Sequence, residues 1–200
     1  MKKLVLIDGH SILNRAFYGV PELSNSQGLH TNAVYGFLNI MFKILDEEAA
    51  DYIAVAFDLS APTFRHKAYA EYKGTRKSMP DELREQVPLI KDVLSSMNIP
   101  ILTMEGYEAD DIIGTIAKRY QSDEVFVSVI SGDRDLLQLS DKHIKIRIPK
   151  TSKGVTTVHD YLPEDVMNEY GVTPKEFIDV KALMGDVSDN VPGVPSIGEK

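Results

Sequence analysis

The densest chemistry-bearing stretch of the sequence is GYEADDIIG, residues 106–114, where Glu108, Asp110 and Asp111 fall within four positions, directly before Ile112 and Ile113. Two like charges about 4 Å apart repel by roughly 4 kcal/mol at an effective dielectric of 20. Such crowding calls for a helix N-terminus, open solvent or a bound cation. More acids close apolar runs elsewhere: Asp8 ends LVLID, Asp58 ends IAVAFD, and Asp133 ends VSVISGD. Asp135 lies two residues past Asp133, and Asp186 and Asp189 sit in GDVSDN. Taken singly, each has an ordinary structural explanation, because acids are stabilised by the dipole in a first helical turn and Asp133 would cap RDLLQL. Nine gathered together would repel prohibitively without cations. Oxygen donors with no His or Cys at ligand spacing favour Mg²⁺ or Mn²⁺, and the D-x-[DN]-x-[DN]-G spacing of a calcium loop is absent.

The elements that must position these acids alternate in type. Short apolar, β-branched runs at 3–7, 52–57, 99–103, 125–130 and 144–148 predict strands, and the first, second and fourth are continuous enough for strands covered on both faces. Helical spacing appears over 33–49, over 81–97 with an interruption at Pro88, and over 109–120. Two further helices, 163–170 and 174–184, each open on a proline and are followed by a glycine. The predicted fold is α/β, a mainly parallel central sheet with helices on both faces. In such sheets ligands collect beyond the carboxyl ends of the strands, which is where the acids fall.

The 200 residues carry a formal net charge of −8, which at first argues against a polyanionic partner. Setting the nine acids aside brings that charge to +1, and the basic residues are segregated. RHKAYAEYKGTRK (65–77) holds five Lys/Arg against one acid, and KHIKIRIPKTSK (142–153) five against none. A carboxylate cage for divalent ions flanked by basic patches is the layout of an enzyme acting on phosphodiesters. Without cysteine there is no disulfide, thiolate zinc site or cysteine nucleophile. Only four apolar residues follow the two lysines of the start, too few for a signal peptide, and no run reaches the roughly 18 of a membrane span. A cytoplasmic protein with no membrane contact is expected. An aspartyl phosphatase would need an acid two places after Asp8, where His10 stands.

The segments LVLIDGHS, VAFD, EYKGTRK, YEADDIIGT, ISGDRDLLQL and LMGDVSDNVPGVPSIGEK, in this order, closely resemble the 5′-nuclease (5′-3′ exonuclease) domain of bacterial DNA polymerase I, within the flap endonuclease family. The resemblance spans residue 4 to the last. It implies a PIN-like 5′-nuclease fold and a DNA substrate with 5′ flaps or 5′ ends, cut by two-metal hydrolysis to 5′-phosphate and 3′-hydroxyl ends in replication and repair. It implies a first Mg²⁺ or Mn²⁺ cluster of Asp8, Asp58, Glu108 and Asp110 with Asp111 in or beside it, and a second of Asp133, Asp135, Asp186 and Asp189. Lys73 and Arg76 would contact the scissile phosphate beside Lys77, with Tyr72 stacking on a base. It also implies residues 1–180 as the nuclease core and 181–200 as the start of a helix-three-turn-helix, whose Gly193, Ser196, Gly198 and Lys200 would meet duplex phosphates, with K⁺. Because the chain stops where another helix is due, it is expected to be the N-terminal part of a longer polypeptide with further nuclease and polymerase domains. The competing readings are a DNA-binding fragment without catalysis and a PIN-like ribonuclease.

Overall fold

The structure, a computed structural model, describes residues 1–152 and 155–198. Strand β1 (Lys2–Asp8) leads directly into helix α1 (Gly9–Gly19), followed by α2 (Asn32–Glu48) and β2 (Tyr52–Ala56). Three short helical pieces come next, α3 (Phe64–Ala68), α4 (Asp81–Arg84) and α5 (Gln86–Ser96). Then follow β3 (Ile101–Leu102), α6 (Ala109–Tyr120), β4 (Val125–Ile130), a 3-10 turn (Arg134–Leu139), β5 (Ile144–Ser152) and β6 (Val155–Tyr161). Helices α7 (Pro163–Tyr170) and α8 (Phe177–Met184) close the order.

The strands form one sheet in the order β3-β2-β1-β4-β5-β6, parallel except for the antiparallel β5–β6 pair. Because side chains alternate along a strand, β1 sends Val5 and Ile7 to one face and Leu6 to the other. Helices α1, α2 and α5 cover the first face with Leu13, Phe37, Ile44, Ile90 and Leu94. The second is covered by Ile113 of α6, Leu137 of the 3-10 turn, Val166 of α7 and Phe177 of α8. Each fully buried side chain of this kind contributes roughly 1.5–3 kcal/mol, so two full layers can hold an unfavourable charge cluster at the sheet's end. At Gly36 a Cβ would approach that of Ala16 to 2.8 Å, so the glycine lets α1 and α2 cross closely.

Several sequence expectations shift in detail. The 81–97 segment breaks at Glu85 rather than at Pro88, since proline at the third position of α5 lies in a first turn, where no intrahelical N–H is required. The regular part of the last helix starts at Phe177, after a turn over 174–176 that a Thr173–Glu176 capping box opens, with the Thr173 N–H donating to Glu176 at 2.9 Å. The predicted strand at 99–103 contracts to two residues behind Pro100. Helix α1 and strand β6 were not expected. Among the described residues no helix is long and apolar enough to cross a membrane.

Candidate active site

Since β1, β2 and β4 run parallel, their carboxyl ends meet at one edge of the sheet. Asp8 ends β1 and caps α1: one oxygen accepts the Ser11 N–H at 3.1 Å, the other the Ser131 hydroxyl at 2.8 Å. Asp58, two residues past β2, accepts the Ala109 N–H at 2.7 Å, which ties it to the start of α6, and His10 stands 3.5 Å from its other oxygen. Glu108, the N-cap of α6, takes the Lys73 ammonium at 2.6 Å and the Tyr72 hydroxyl at 3.0 Å. Asp133 caps the 3-10 turn through the Asp135 N–H at 2.8 Å. Lys181 of α8 bridges Asp135 and Asp186 at 3.0 and 3.2 Å.

Asp8, Asp58, Glu108, Asp110, Asp133, Asp135 and Asp186 thus line one cleft of about 1210 Å³. Asp111 and Asp189 do not. Asp111 points at Arg65, bound through both oxygens at 2.7 and 2.8 Å, and Asp189 is held by the Tyr72 hydroxyl at 2.9 Å and by Arg76. One hydroxyl proton cannot serve Glu108 and Asp189 at once, so Tyr72 hydrogen-bonds one while facing both.

The electrostatics show negative charge without compensation. Burial first, then the charges of Asp58 and Asp133, push the Asp8 carboxyl up to about 6, against hydrogen bonds from Ser11 and Ser131. Asp110 is driven well above the usual carboxylate range by burial and by Asp8, Asp133 and Asp58, and its Oδ1 is buried with no hydrogen-bond partner. Burial also raises Asp135. Asp58 falls below its ordinary value despite burial, because the hydrogen bonds of His10 and the Ala109 N–H outweigh it.

Divalent cations fit this donor set. Among the described residues no three acids or histidines close into a ready coordination shell, but the lining donors are carboxylate oxygens, and the orphan Asp110 oxygen lacks the counter-charge that a hard cation supplies.

The basic residues divide differently from their sequence pattern. Lys73 (φ 57°), Arg76 and Lys77 line the cleft, and the Lys73 N–H donates to the Asp189 carbonyl at 2.8 Å. The stretch after Lys142 is largely consumed, since Lys145 and Arg147 make ion pairs with Glu47, Glu48 and Asp160. Tyr72 presents no free face to a base. It is only 8% exposed, with the His66 ring edge-on at 5.1 Å and the Lys73 ammonium 5.0 Å from its centroid.

Gly193 has a structural reason of its own: a Cβ there would come within 2.1 Å of the Met184 carbonyl oxygen, where the chain folds back on Gly185 (φ 72°). Ser196 (φ 69°) and Gly198 are exposed in the same C-terminal loop, and Lys200 lies outside the described residues. The sequence reading missed the cleft residues His10, Asn14, Arg15 and Tyr18 of α1, Lys91 of α5 and Lys181. A helical period of Ile12, Leu13 and Ala16 after the Asp8 cap was the available signal for α1. Burial lowers the Arg15 guanidinium, whose Nε has no hydrogen-bond partner.

A profile of the family "5′-3′ exonuclease, N-terminal resolvase-like domain" matches residues 3–171. The chain is 54% identical over 199 residues to the DNA polymerase I of Bacillus caldotenax and 52% to that of Bacillus subtilis (strain 168), matching over its whole length but spanning only 22% of each polymerase. Among solved structures, the bacteriophage T5 5′-exonuclease with bound divalent zinc superposes with a TM-score of 0.76 at 27% identity, covering 98% of this chain and 72% of that one. The T5 D15 flap endonuclease, in a pseudo-enzyme-product complex with DNA and metal ions, gives a TM-score of 0.74 at 26% identity, covering 98% and 71%. With the carboxylates at the sheet edge and a family profile matched over most of its length, the chain belongs to the 5′-3′ exonuclease family, of which it carries the N-terminal resolvase-like domain.

Proposed function

We propose that this chain is the nuclease portion of a cytoplasmic DNA polymerase I and hydrolyses DNA phosphodiesters at 5′ ends and 5′-flap junctions during replication and repair. The products carry 5′-phosphate and 3′-hydroxyl ends. The observation that carries the proposal is the convergence of Asp8, Asp58, Asp110 and Asp133 on one cleft, with a buried Asp110 oxygen left unpartnered. Mg²⁺ or Mn²⁺ would be held by Asp8, Asp58, Glu108 and Asp110, and by Asp133, Asp135 and Asp186. Asp111 and Asp189 would act from behind, fixing Arg65 and Arg76. Divalent cations supply acidified water and neutralise phosphate charge in such sites.

The chain's own residues do the rest. Lys73, Arg76 and Lys77 lie where a phosphodiester in the cleft would need cations. Tyr72 donates to Glu108 or to Asp189, and either bond ties the basic segment to the acids. Arg15, lacking a partner at Nε, is a further phosphate donor on α1. Residues 1–180 form the nuclease core, and the loop after α8 begins a helix-three-turn-helix in which Gly193, Ser196, Gly198 and Lys200 meet duplex phosphates with K⁺.

Cleavage of a labelled 5′-flap DNA in Mg²⁺, compared with EDTA and with single-stranded RNA as competitor, is the test. Metal-dependent flap cleavage is expected. Equal cleavage in EDTA, retention of flap DNA without cleavage, or a preference for RNA would each overturn the proposal.

A further inference from the structure

An aromatic pair stands just outside the cleft with no role in it. Phe64 opens α3, Tyr107 directly precedes Glu108, and their ring centroids lie 5.7 Å apart at an interplanar angle of 55°. They are 47% and 48% exposed. Their backbone is nevertheless fixed: the Phe64 N–H donates to the Gly106 carbonyl at 3.0 Å, and the next residues turn inward, Arg65 to Asp111 and Glu108 to Lys73. Solvent-facing aromatic surface is therefore held rigidly at the rim of the carboxylate site.

One unpaired cation stands beside the pair. The Arg65 guanidinium lies 4.6 Å from the Phe64 centroid with its charge met by Asp111, whereas Lys67 on the same short helix is exposed, with no ion pair among the described residues. Cations next to open aromatic faces are the surface that an unpaired nucleic-acid strand uses, phosphates meeting the charges and bases stacking on the rings. Tyr72, only 8% exposed, cannot provide that face. Phe64 and Tyr107 can.

We propose that Phe64 and Tyr107 form a stacking subsite for unpaired bases of the DNA strand that leaves the cleft past Glu108. This rests on the nuclease reading above and adds where the single-stranded arm runs. Because every base has a π-face, the subsite discriminates arm from no arm rather than one sequence from another.

The test compares affinity, in Ca²⁺, for two DNAs sharing one duplex, with and without an unpaired 5′ arm that carries 2-aminopurine. Tyr107→Leu and Phe64→Leu keep apolar volume but remove the ring. Each should weaken binding of the armed DNA by roughly 5- to 150-fold, leave the armless DNA unchanged, and relieve the stacking quench of 2-aminopurine. Tyr107→Phe should match wild type. Unaltered affinity in both leucine variants, or an equal loss on both DNAs, overturns the subsite. If wild type cleaves flaps while either result holds, the subsite alone falls; if wild type neither binds nor cleaves flap DNA, the nuclease reading falls with it.

Discussion

Two clusters of buried charge in this molecule are built in opposite ways. Around β5 and the end of α2, Arg147 meets Glu47, Glu48 and Asp160 at 2.7, 2.8 and 2.7 Å, and Lys145 meets Glu48 and Asp160 at 2.9 and 3.2 Å. Every acid there has a cation in contact. At the carboxyl end of β1 and the first turn of α6, Asp8 and Asp110 have no ion-pair partner among the described residues, and burial raises both carboxyls. The first cluster balances its charges without a ligand and serves packing, although Arg147 Nη1 faces Glu48 at 2.8 Å without an aligned hydrogen bond. The second is left incomplete, and that excess negative charge is what a divalent cation and a phosphodiester can use. Proximity of charge alone does not mark a site; missing compensation does.

The largest expected effect breaks the complete cluster. Arg147→Met would leave the buried Glu48 with Lys145 alone and take a cation from Glu47 and Asp160, costing up to about 3–5 kcal/mol, read by urea unfolding, while Mn²⁺ affinity of the folded protein stays unchanged. Loss of Mn²⁺ binding at full occupancy of the fold would mean that the two clusters are coupled.

Next, Asp110→Asn should lower flap cleavage on the order of 10²- to 10³-fold, the scale of losing one electrostatic contact in an active site. The same substitution should raise metal-free stability at pH 7.5, because burial and the neighbouring acids disfavour the ionised carboxyl that Asn replaces. Lower stability in that variant would contradict the charge excess.

The third test is a pH profile. The folded pKa of Asp8, about 6, lies above its ordinary value of 3.8, so the folded state binds the proton more tightly. That stabilisation is fully present below about pH 4 and is lost as pH rises through 6. Wild type should therefore lose about 1–3 kcal/mol relative to Asp8→Asn between pH 4 and 7 without metal. Added Mn²⁺ should remove the difference by stabilising wild type alone. A flat difference would show that Asp8 is not electrostatically stressed.

The smallest effect serves as a control: Lys118→Ala breaks the exposed pair with Asp141 at 3.0 Å and should change stability by less than about 1 kcal/mol. A larger loss would mean that pairing, rather than burial, separates the two clusters.

Local signals made much of the fold legible. Helix α7 opens on Pro163 and ends at Gly171 with φ 72°, and α6 begins where its acids crowd, at Glu108. The β1, β2 and β4 runs are apolar because both faces are covered. What stayed hidden depends on long-range pairing. Strand β6 is an edge strand defined by its ladder to β5, and α1 follows β1 with no connecting residues, so no loop separates the two in sequence.

At the site, residue types alone singled out the acids and the chemistry they would suit, because oxygen-only donors after strand ends favour hard cations. Tertiary structure decided which acids face the cleft. Asp110 and Asp111 are neighbours in sequence, yet a helix turns successive residues by about 100°, so one enters the cleft while the other meets Arg65. The sequence likewise established that residues 65–77 and 142–153 are basic. Only the fold set their fates, by bringing Glu47, Glu48 and Asp160 against Arg147 while leaving Lys77 in the cleft. A charge's partner is chosen by distance in space, which the order of residues along the chain does not specify.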